Sequence, residues 1–99
     1  MSALDNDQRN TASVTLAQIQ QDRLAMAVAR AVAVANETAT SQGIDLATSL
    51  VTITEESPPP TRLWRIHYGP RDFTRRRGGD LIVLVDDQTG TVQRSIRGQ

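Results

Sequence analysis

The chain has 99 residues, a length typical of a single domain. Its eleven basic residues, all arginine, balance eleven acidic ones, and it contains no cysteine and one histidine. Zero net charge argues against a nucleic-acid coat or a membrane-surface protein. The cysteine and histidine counts exclude disulfide scaffolds, thiolate metal sites and multi-histidine metal sites within one chain. We expect no metal and no other cofactor.

The polar stretch at residues 1–12 shows no periodicity, which predicts a disordered arm, and residues 13–99 are predicted to form one domain. This stretch lacks the basic and apolar regions of a signal peptide. The chain also has no apolar run long enough to span a bilayer. We expect a cytoplasmic protein that does not engage a membrane, or a periplasmic one if a signal peptide has been removed.

Residues from Thr15 to about Ser41 predict one long α-helix. Thr15 and Gln18 have the spacing of a capping box, and Gly43 stands where a left-handed residue ends a helix. One stripe of the helix is apolar and rich in alanine, which favours close packing on a sheet. Its members are Ala17, Leu24, Val28, Ala31, Val32, Ala35 and Ala39. The other side carries Asp22, Arg30, Asn36 and Glu37.

Four strands follow, at residues 50–56, 62–68, 81–85 and 91–97. The proline run at residues 58–60, the Gly69-Pro70 pair and the turn at residues 86–90 are predicted to end or separate them. Consecutive strands with short links pair as an antiparallel meander, and the apolar third strand favours a central position. The predicted fold is therefore α+β, with one long N-terminal helix packed on a four-stranded antiparallel meander sheet.

Alternation within the strands assigns side chains to the two faces of this sheet. One face receives Trp64, Ile66 and Tyr68. The fourth strand places Val92 and Ile96 together on one face. The face opposite the helix receives Leu63, Arg65, His67, Ile82 and Leu84, or the alternate set if the register differs. Because one helix covers one face, we expect a partner protein or a second copy of the chain to cover the other.

The second half of the chain contains Trp64-Arg65-Ile66-His67-Tyr68-Gly69-Pro70 and then Gly78-Gly79-Asp80-Leu81, followed by the last hairpin. The strand that continues as Val85-Asp86-x-x-Thr89-Gly90-x-Val92 resembles PepSY-type domains. From about Thr15 to Gln99 the chain is similar to bacterial immunity proteins with a nuclear-transport-factor-two-like, or cystatin-like, fold. The immunity resemblance implies tight binding to a toxin, and the PepSY resemblance implies binding or inhibition of a peptidase. Neither resemblance implies catalysis.

Two features could carry chemistry. His67 could act as a general acid or base, but no cysteine partners it and no third group can be placed, which favours a surface or interface role. The loop after the second strand carries Arg71, Phe73, Arg75, Arg76 and Arg77 next to Gly78-Gly79. Guanidinium groups and exposed backbone N–H groups suit carboxylates and phosphates. The loop is a solvated tip, a contact for an acidic protein, or an anion contact.

Asp86 and Asp87 are expected to hydrogen-bond the last hairpin, and Trp64 is expected in the core. We therefore expect a non-catalytic protein-binding module, of the immunity or inhibitor type. Its predicted contact residues are Arg65, His67, Tyr68, Arg71, Phe73, Arg75, Arg76 and Arg77. The alternatives are a small-ligand pocket between helix and sheet, and an anion or nucleic-acid contact through Arg75–Arg77, which the neutral chain disfavours.

Overall fold

A long helix lies on one face of an antiparallel sheet in the computed structural model, which describes residues 12–71 and 80–98. The helices are α1 (Leu16–Gln21) and α2 (Arg23–Ser41), followed by a 3₁₀ helix (Leu46–Thr48). The strands are β1 (Ser49–Ser57), β2 (Leu63–Pro70), β3 (Leu81–Asp86) and β4 (Thr91–Arg97), in the spatial order β1-β2-β3-β4. The predicted α+β class and meander are confirmed. The predicted arm, up to residue 11, lies outside the described residues.

The predicted single helix is divided at Asp22. Its start has the predicted capping box, since the Gln18 N–H donates to Thr15 Oγ1 at 3.1 Å and the Thr15 N–H donates to Gln18 Oε1 at 2.8 Å. Asp22 has an extended backbone, and its carboxylate accepts from the Ala25 N–H at 3.0 Å. A capping aspartate offers the backbone an alternative to continuing the previous helix. The prediction of one uninterrupted helix is therefore wrong at this residue.

Helix α2 ends where the sequence predicted, before Gly43. This glycine has φ +85°, and its N–H donates to the Thr40 carbonyl at 3.0 Å. The Ile44 N–H donates to the Ala39 carbonyl, also at 3.0 Å. These two bonds form a Schellman motif, in which glycine takes the left-handed position without steric cost.

The core lies between α2 and the two central strands. Helix α2 contributes three fully buried alanines, at positions 31, 35 and 39, whose short side chains allow close packing on the sheet. The sheet contributes Trp64, Ile66, Tyr68, Leu81, Val83 and Val85. Ala17 and Leu24, which were placed in the buried stripe, are exposed. They precede the part of α2 that packs on these strands.

Strand β2 continues through Gly69 and Pro70, the pair predicted to end it. The Arg71 N–H donates to the Thr48 carbonyl at 3.1 Å, which makes Thr48 and Arg71 a hydrogen-bonded pair. Alternation then makes Pro70 and Ser49 a non-hydrogen-bonded pair. Because this position requires no N–H directed at β1, proline is tolerated there.

A register shift at β4 changes the predicted faces of that strand. Val92 pairs with Val85 and packs against the core, whereas Ile96 pairs with Ile82 on the face away from α2. The ladder shifts by one residue between Leu84 and Val85. One extra residue in a strand reverses the alternation of faces. The prediction that Val92 and Ile96 share a face is therefore wrong.

Candidate functional site

The sheet face turned away from α2, here called the open face, carries two of the four predicted contact residues that the structure describes, Arg65 and His67. The strand register places there Leu63, Arg65, His67, Ile82 and Leu84, together with Leu50, Thr52, Thr54, Arg94 and Ile96. Helix α2 packs on the other face, against the side of the sheet that bears Ile66 and Val83. The expected assignment of side chains to this face is thus what the structure shows.

An apolar row crosses the open face from β3 to β4. Leu84 is only 8% exposed, although α2 lies on the other side of the sheet. Its cross-strand neighbours are Arg65 and Arg94, and the aliphatic part of an arginine commonly lies along apolar neighbours. Ile82 and Ile96 form the next cross-strand pair and remain partly exposed. The row therefore offers apolar surface with guanidinium groups beside it.

On the open face of β2, Arg65 and His67 each have an acidic neighbour. His67 Nε2 lies 2.9 Å from Asp80 Oδ2, and Arg65 Nε lies 3.9 Å from Glu56 Oε1. All four side chains are partly exposed, and exposed ion pairs are weak. A carboxylate from a partner can therefore replace the acidic neighbour at little cost.

Asp80 is the residue of this site that sequence reasoning missed. It stands one position before β3, and the pairing of Leu81 with Tyr68 brings it beside the end of β2. The order of strands in the meander was the signal that could have found it. The His67–Asp80 pair can hydrogen-bond a partner or pass a proton. In residues 12–71 and 80–98, no three His, Asp or Glu side chains are grouped as metal ligands are.

Tyr68 was predicted as an interface residue, and the structure corrects this. Its side chain is fully buried on the α2 face, because alternation aligns it with Ile66. The hydroxyl donates to Asn36 Oδ1 at 2.7 Å, and burial raises the pKa of Tyr68 to about 12. Asn36 was placed on the solvent side of the helix. Asn36 follows Val32 by four residues and is therefore only about 40° away from it around the helix axis. Because Val32 belongs to the predicted buried stripe, this angle was the signal that Asn36 borders the stripe.

Arg71 is exposed, but its polar groups bond the fold. Its backbone N–H donates to the Thr48 carbonyl, and its guanidinium donates to the Ser49 carbonyl at 3.0 Å. Arg71 therefore ties the start of β1 to the end of β2. The other predicted contact residues of this loop, Phe73, Arg75, Arg76 and Arg77, lie outside the described residues.

Trp64 is buried, as predicted, at the end of the sheet near the β3–β4 hairpin. Its indole N–H donates to Asp87 Oδ1 at 2.9 Å, and the Arg62 guanidinium lies 5.2 Å from its ring centroid. Arg62 Nε also lies 2.7 Å from Glu55 Oε2, although its N–H is not directed at that oxygen. This cluster fixes the hairpin end of the sheet through one indole ring and two carboxylates.

The two adjacent aspartates of the hairpin have different roles. Asp86 caps the turn as predicted, since its Oδ1 accepts from the N–H groups of Gln88 and Thr89. Gly90 closes the turn at φ +68°, and its N–H donates to the Asp86 carbonyl at 2.8 Å. The Asp87 carboxylate instead bonds Trp64. Its expected role within the hairpin is therefore corrected to a bond between the hairpin and β2.

An open cleft of about 380 Å³ lies beside the start of α2. Its lining comprises Gln20, Arg23, Met26, Ala27, Arg30 and Asp87. The Arg30 guanidinium donates to the Asp87 carbonyl, which links α2 to the hairpin. Two guanidinium groups next to an apolar floor can hold a small carboxylate or another anion.

No family model, no curated protein and no solved structure matches the chain. The resemblance to immunity proteins and PepSY-type domains stays a prediction. Within the described part of the chain, no helix is both long and apolar enough to cross a membrane.

Proposed function

We propose that this protein is a small, non-catalytic protein-binding module of the immunity or inhibitor type. It engages its partner through the open face. The observation that supports this proposal is the apolar row of β3 and β4, which α2 leaves uncovered and which arginine and histidine side chains border. We assign its action to the cytoplasm, which stays a prediction.

The chemistry of the open face suits a partner that combines apolar and acidic side chains. Burial of Ile82 and Ile96 supplies binding free energy in proportion to the apolar area removed from water, whatever the orientation of the contacting groups. Arg65 and His67 supply directed hydrogen bonds to carboxylates. A sheet also presents these groups on a rigid backbone, which favours specific recognition.

A small-ligand site is the second candidate, and the cleft beside α2 is the observation that favours it. An anion held there would contact Arg23 and Arg30. Its binding would depend on salt and would be insensitive to substitutions on the open face. An anion or nucleic-acid contact through Arg75–Arg77 remains a further prediction from the sequence.

The test is capture of protein from nuclease-treated native lysate by three immobilised forms of the chain. They are the wild type, an open-face variant (Arg65→Glu with Ile96→Asp) and a control (Arg23→Glu with Leu24→Asp) on the exposed start of α2. We expect wild type and control to retain the same stoichiometric protein. The open-face variant should lose at least about 30-fold in affinity, as when a central contact worth about 2 kcal/mol is removed.

Three outcomes would count against the proposal. The first is that wild type retains no protein at stoichiometric amounts. The second is that the open-face variant binds as well as the wild type does. The third is loss of protein binding only in the control, which would move the protein contact from the open face to the start of α2. All four substituted side chains are exposed or partly exposed, so we expect each variant to fold. Circular dichroism of each variant checks this.

A further inference from the structure

The two edges of the sheet differ in how they are protected from pairing. Edge strands carry unpaired backbone groups, and proteins block them with charges, prolines or bulges. Strand β4 has a register shift together with Arg94 and Arg97. Strand β1, the other edge, has a register shift and two charges, Glu55 and Glu56, only near its end, and it has neither charge nor proline from Ser49 to Thr54. Its sequence there, Ser-Leu-Val-Thr-Ile-Thr, has the alternation and the branched residues of a strong strand.

The apolar side chains of β1 are also exposed on both faces. Leu50 is 50% exposed on the open face, and Val51 and Ile53 are 40% and 39% exposed on the face that α2 occupies. Helix α2 packs on β2, β3 and β4 and leaves β1 largely uncovered. An uncharged edge with apolar side chains on both faces is the surface that pairs with another strand.

The backbone bonds between β1 and β2 determine which groups of β1 point outward. The Thr48–Arg71 bond makes Thr52 and His67 a hydrogen-bonded pair, because such pairs alternate along the ladder. The N–H and carbonyl groups of Val51 and Ile53 therefore point away from β2. They form the row of donors and acceptors along the free edge.

We propose that β1 pairs with β1 of a second copy of this chain, antiparallel and about a two-fold axis at Thr52. The inference rests on the proposed function in treating the chain as a protein-binding module, but it uses the sheet edge and not the open face. The result is one continuous sheet of eight strands. The occupant is a second copy because β1 is complementary to itself in this register.

This self-complementarity is seen when β1 of one copy is aligned antiparallel with β1 of the other. With Thr52 opposite Thr52, Val51 of each copy is opposite Ile53 of the other. Their outward backbone groups can then bond, and their side chains form two reciprocal apolar pairs. Glu55 is opposite Ser49 and lies far from the second Glu55. Moving the centre to Ile53 would put Val51 opposite Glu55. Charge and side-chain matching therefore both favour the Thr52 centre.

Pairing at Thr52 would join the two open faces into one. Thr52 is the cross-strand neighbour of His67, so the two His67 side chains would lie three strand spacings apart, about 14 Å. A symmetric partner could then contact both copies at once, which raises its apparent affinity. The junction of two strands buries less than the ~800 Å² per partner typical of a stable interface, so the dimer should dissociate on dilution.

Disulfide trapping tests the register, since the chain has no cysteine of its own. In the proposed dimer the Thr52 residues form a non-hydrogen-bonded pair with Cα atoms about 4.5 Å apart, within disulfide range. Thr54 lies on the same face and is also exposed. Its two copies would be four residues apart along the strands, at least about 13 Å. Thr52→Cys should therefore form a covalent dimer at least about ten times faster than Thr54→Cys.

A second variant separates edge pairing from loss of fold. Val51→Pro removes an N–H that points outward, so bonds between β1 and β2 are retained. Added to Thr52→Cys, it should abolish trapping while circular dichroism keeps the α+β signal. Equal trapping of Thr52→Cys and Thr54→Cys, or trapping that survives Val51→Pro in a folded chain, would overturn the inference. Lysate capture through the open face is measured separately, so either proposal can fail alone.

Discussion

Alkaline pH should destabilise this protein through a single side chain, the buried Tyr68. The chain contains no lysine, no cysteine and no other tyrosine. Arginine stays protonated above pH 12, and an α-amino group titrates near pH 8. Between about pH 9 and about pH 12, Tyr68 is therefore the one side chain that loses a proton.

The sign of the effect follows from the pKa of Tyr68 in the two states. In the unfolded chain the pKa is near 10, whereas burial raises the pKa of Tyr68 to about 12 in the folded chain. Between these values the unfolded state binds fewer protons, so the free energy of unfolding falls as pH rises. The fall is about 1 kcal/mol per pH unit and about 2 to 3 kcal/mol over the whole window. Below pH 10 this contribution is fully present.

Urea denaturation from about pH 8 to about pH 12 measures this effect, with the fluorescence of Trp64 as the signal. The matched variant is Tyr68→Phe, which fills the same space but leaves Asn36 without its donor. It should be less stable than wild type by about 1 kcal/mol at pH 8, and its stability should not depend on pH above 9. A wild type whose midpoint stays flat up to pH 12, or a variant that falls as steeply, would refute the reasoning.

Three further predictions concern the fold. Gly43→Ala should lower the free energy of unfolding by about 1 kcal/mol, because φ is +85° there although the added Cβ would meet no atom. Gly90→Ala should lower it further, because its Cβ would also lie 3.0 Å from the Arg30 side chain. If urea denaturation shows equal decreases in stability for the two variants, the predicted effect of the contact with Arg30 is wrong. Ala35→Leu should lower stability by about 2 kcal/mol or more, whereas the exposed Ala33→Leu should change it by less than about 0.5 kcal/mol. Asp22→Ala should cost about 1 kcal/mol and reduce helical ellipticity, and an unchanged denaturation midpoint would count against its capping role.

Local patterns predicted the elements of this fold because each element has its own signal. The Thr15 capping box, the glycine after α2 and the alternation in β2 all depend on near neighbours in the sequence. The face that carries Arg65 and His67 followed from that alternation alone. Where one residue could serve two local roles, prediction failed. Asp22 suits either a helix interior or a cap, and the local pattern of the sequence is compatible with both roles.

The candidate site was harder to predict because its contacts join distant residues. Periodicity within β2 already aligned Tyr68 with Trp64 and Ile66, but its position at the predicted strand end suggested exposure. Its partner Asn36 is 32 residues away and could be placed only once the helix was docked. Asp80 lies 13 residues after His67 in the sequence, and the pairing of β2 with β3 brings the two side chains together. The register shift in β4, which moved Val92 to the core, left no signal in the composition of that strand.

The order of the strands also bears on how the chain folds. Each pairing in the sheet joins consecutive strands, so the sheet can form by closing short loops one after another. The side-chain bonds that fasten α2 and the residue after it to the sheet span longer separations: 32 residues from Asn36 to Tyr68, 57 from Arg30 to Asp87 and 53 from Gln42 to Ser95. Contacts of long separation carry the larger entropy cost of closure and form slowly. The helix is therefore expected to dock last, onto a meander that has already assembled.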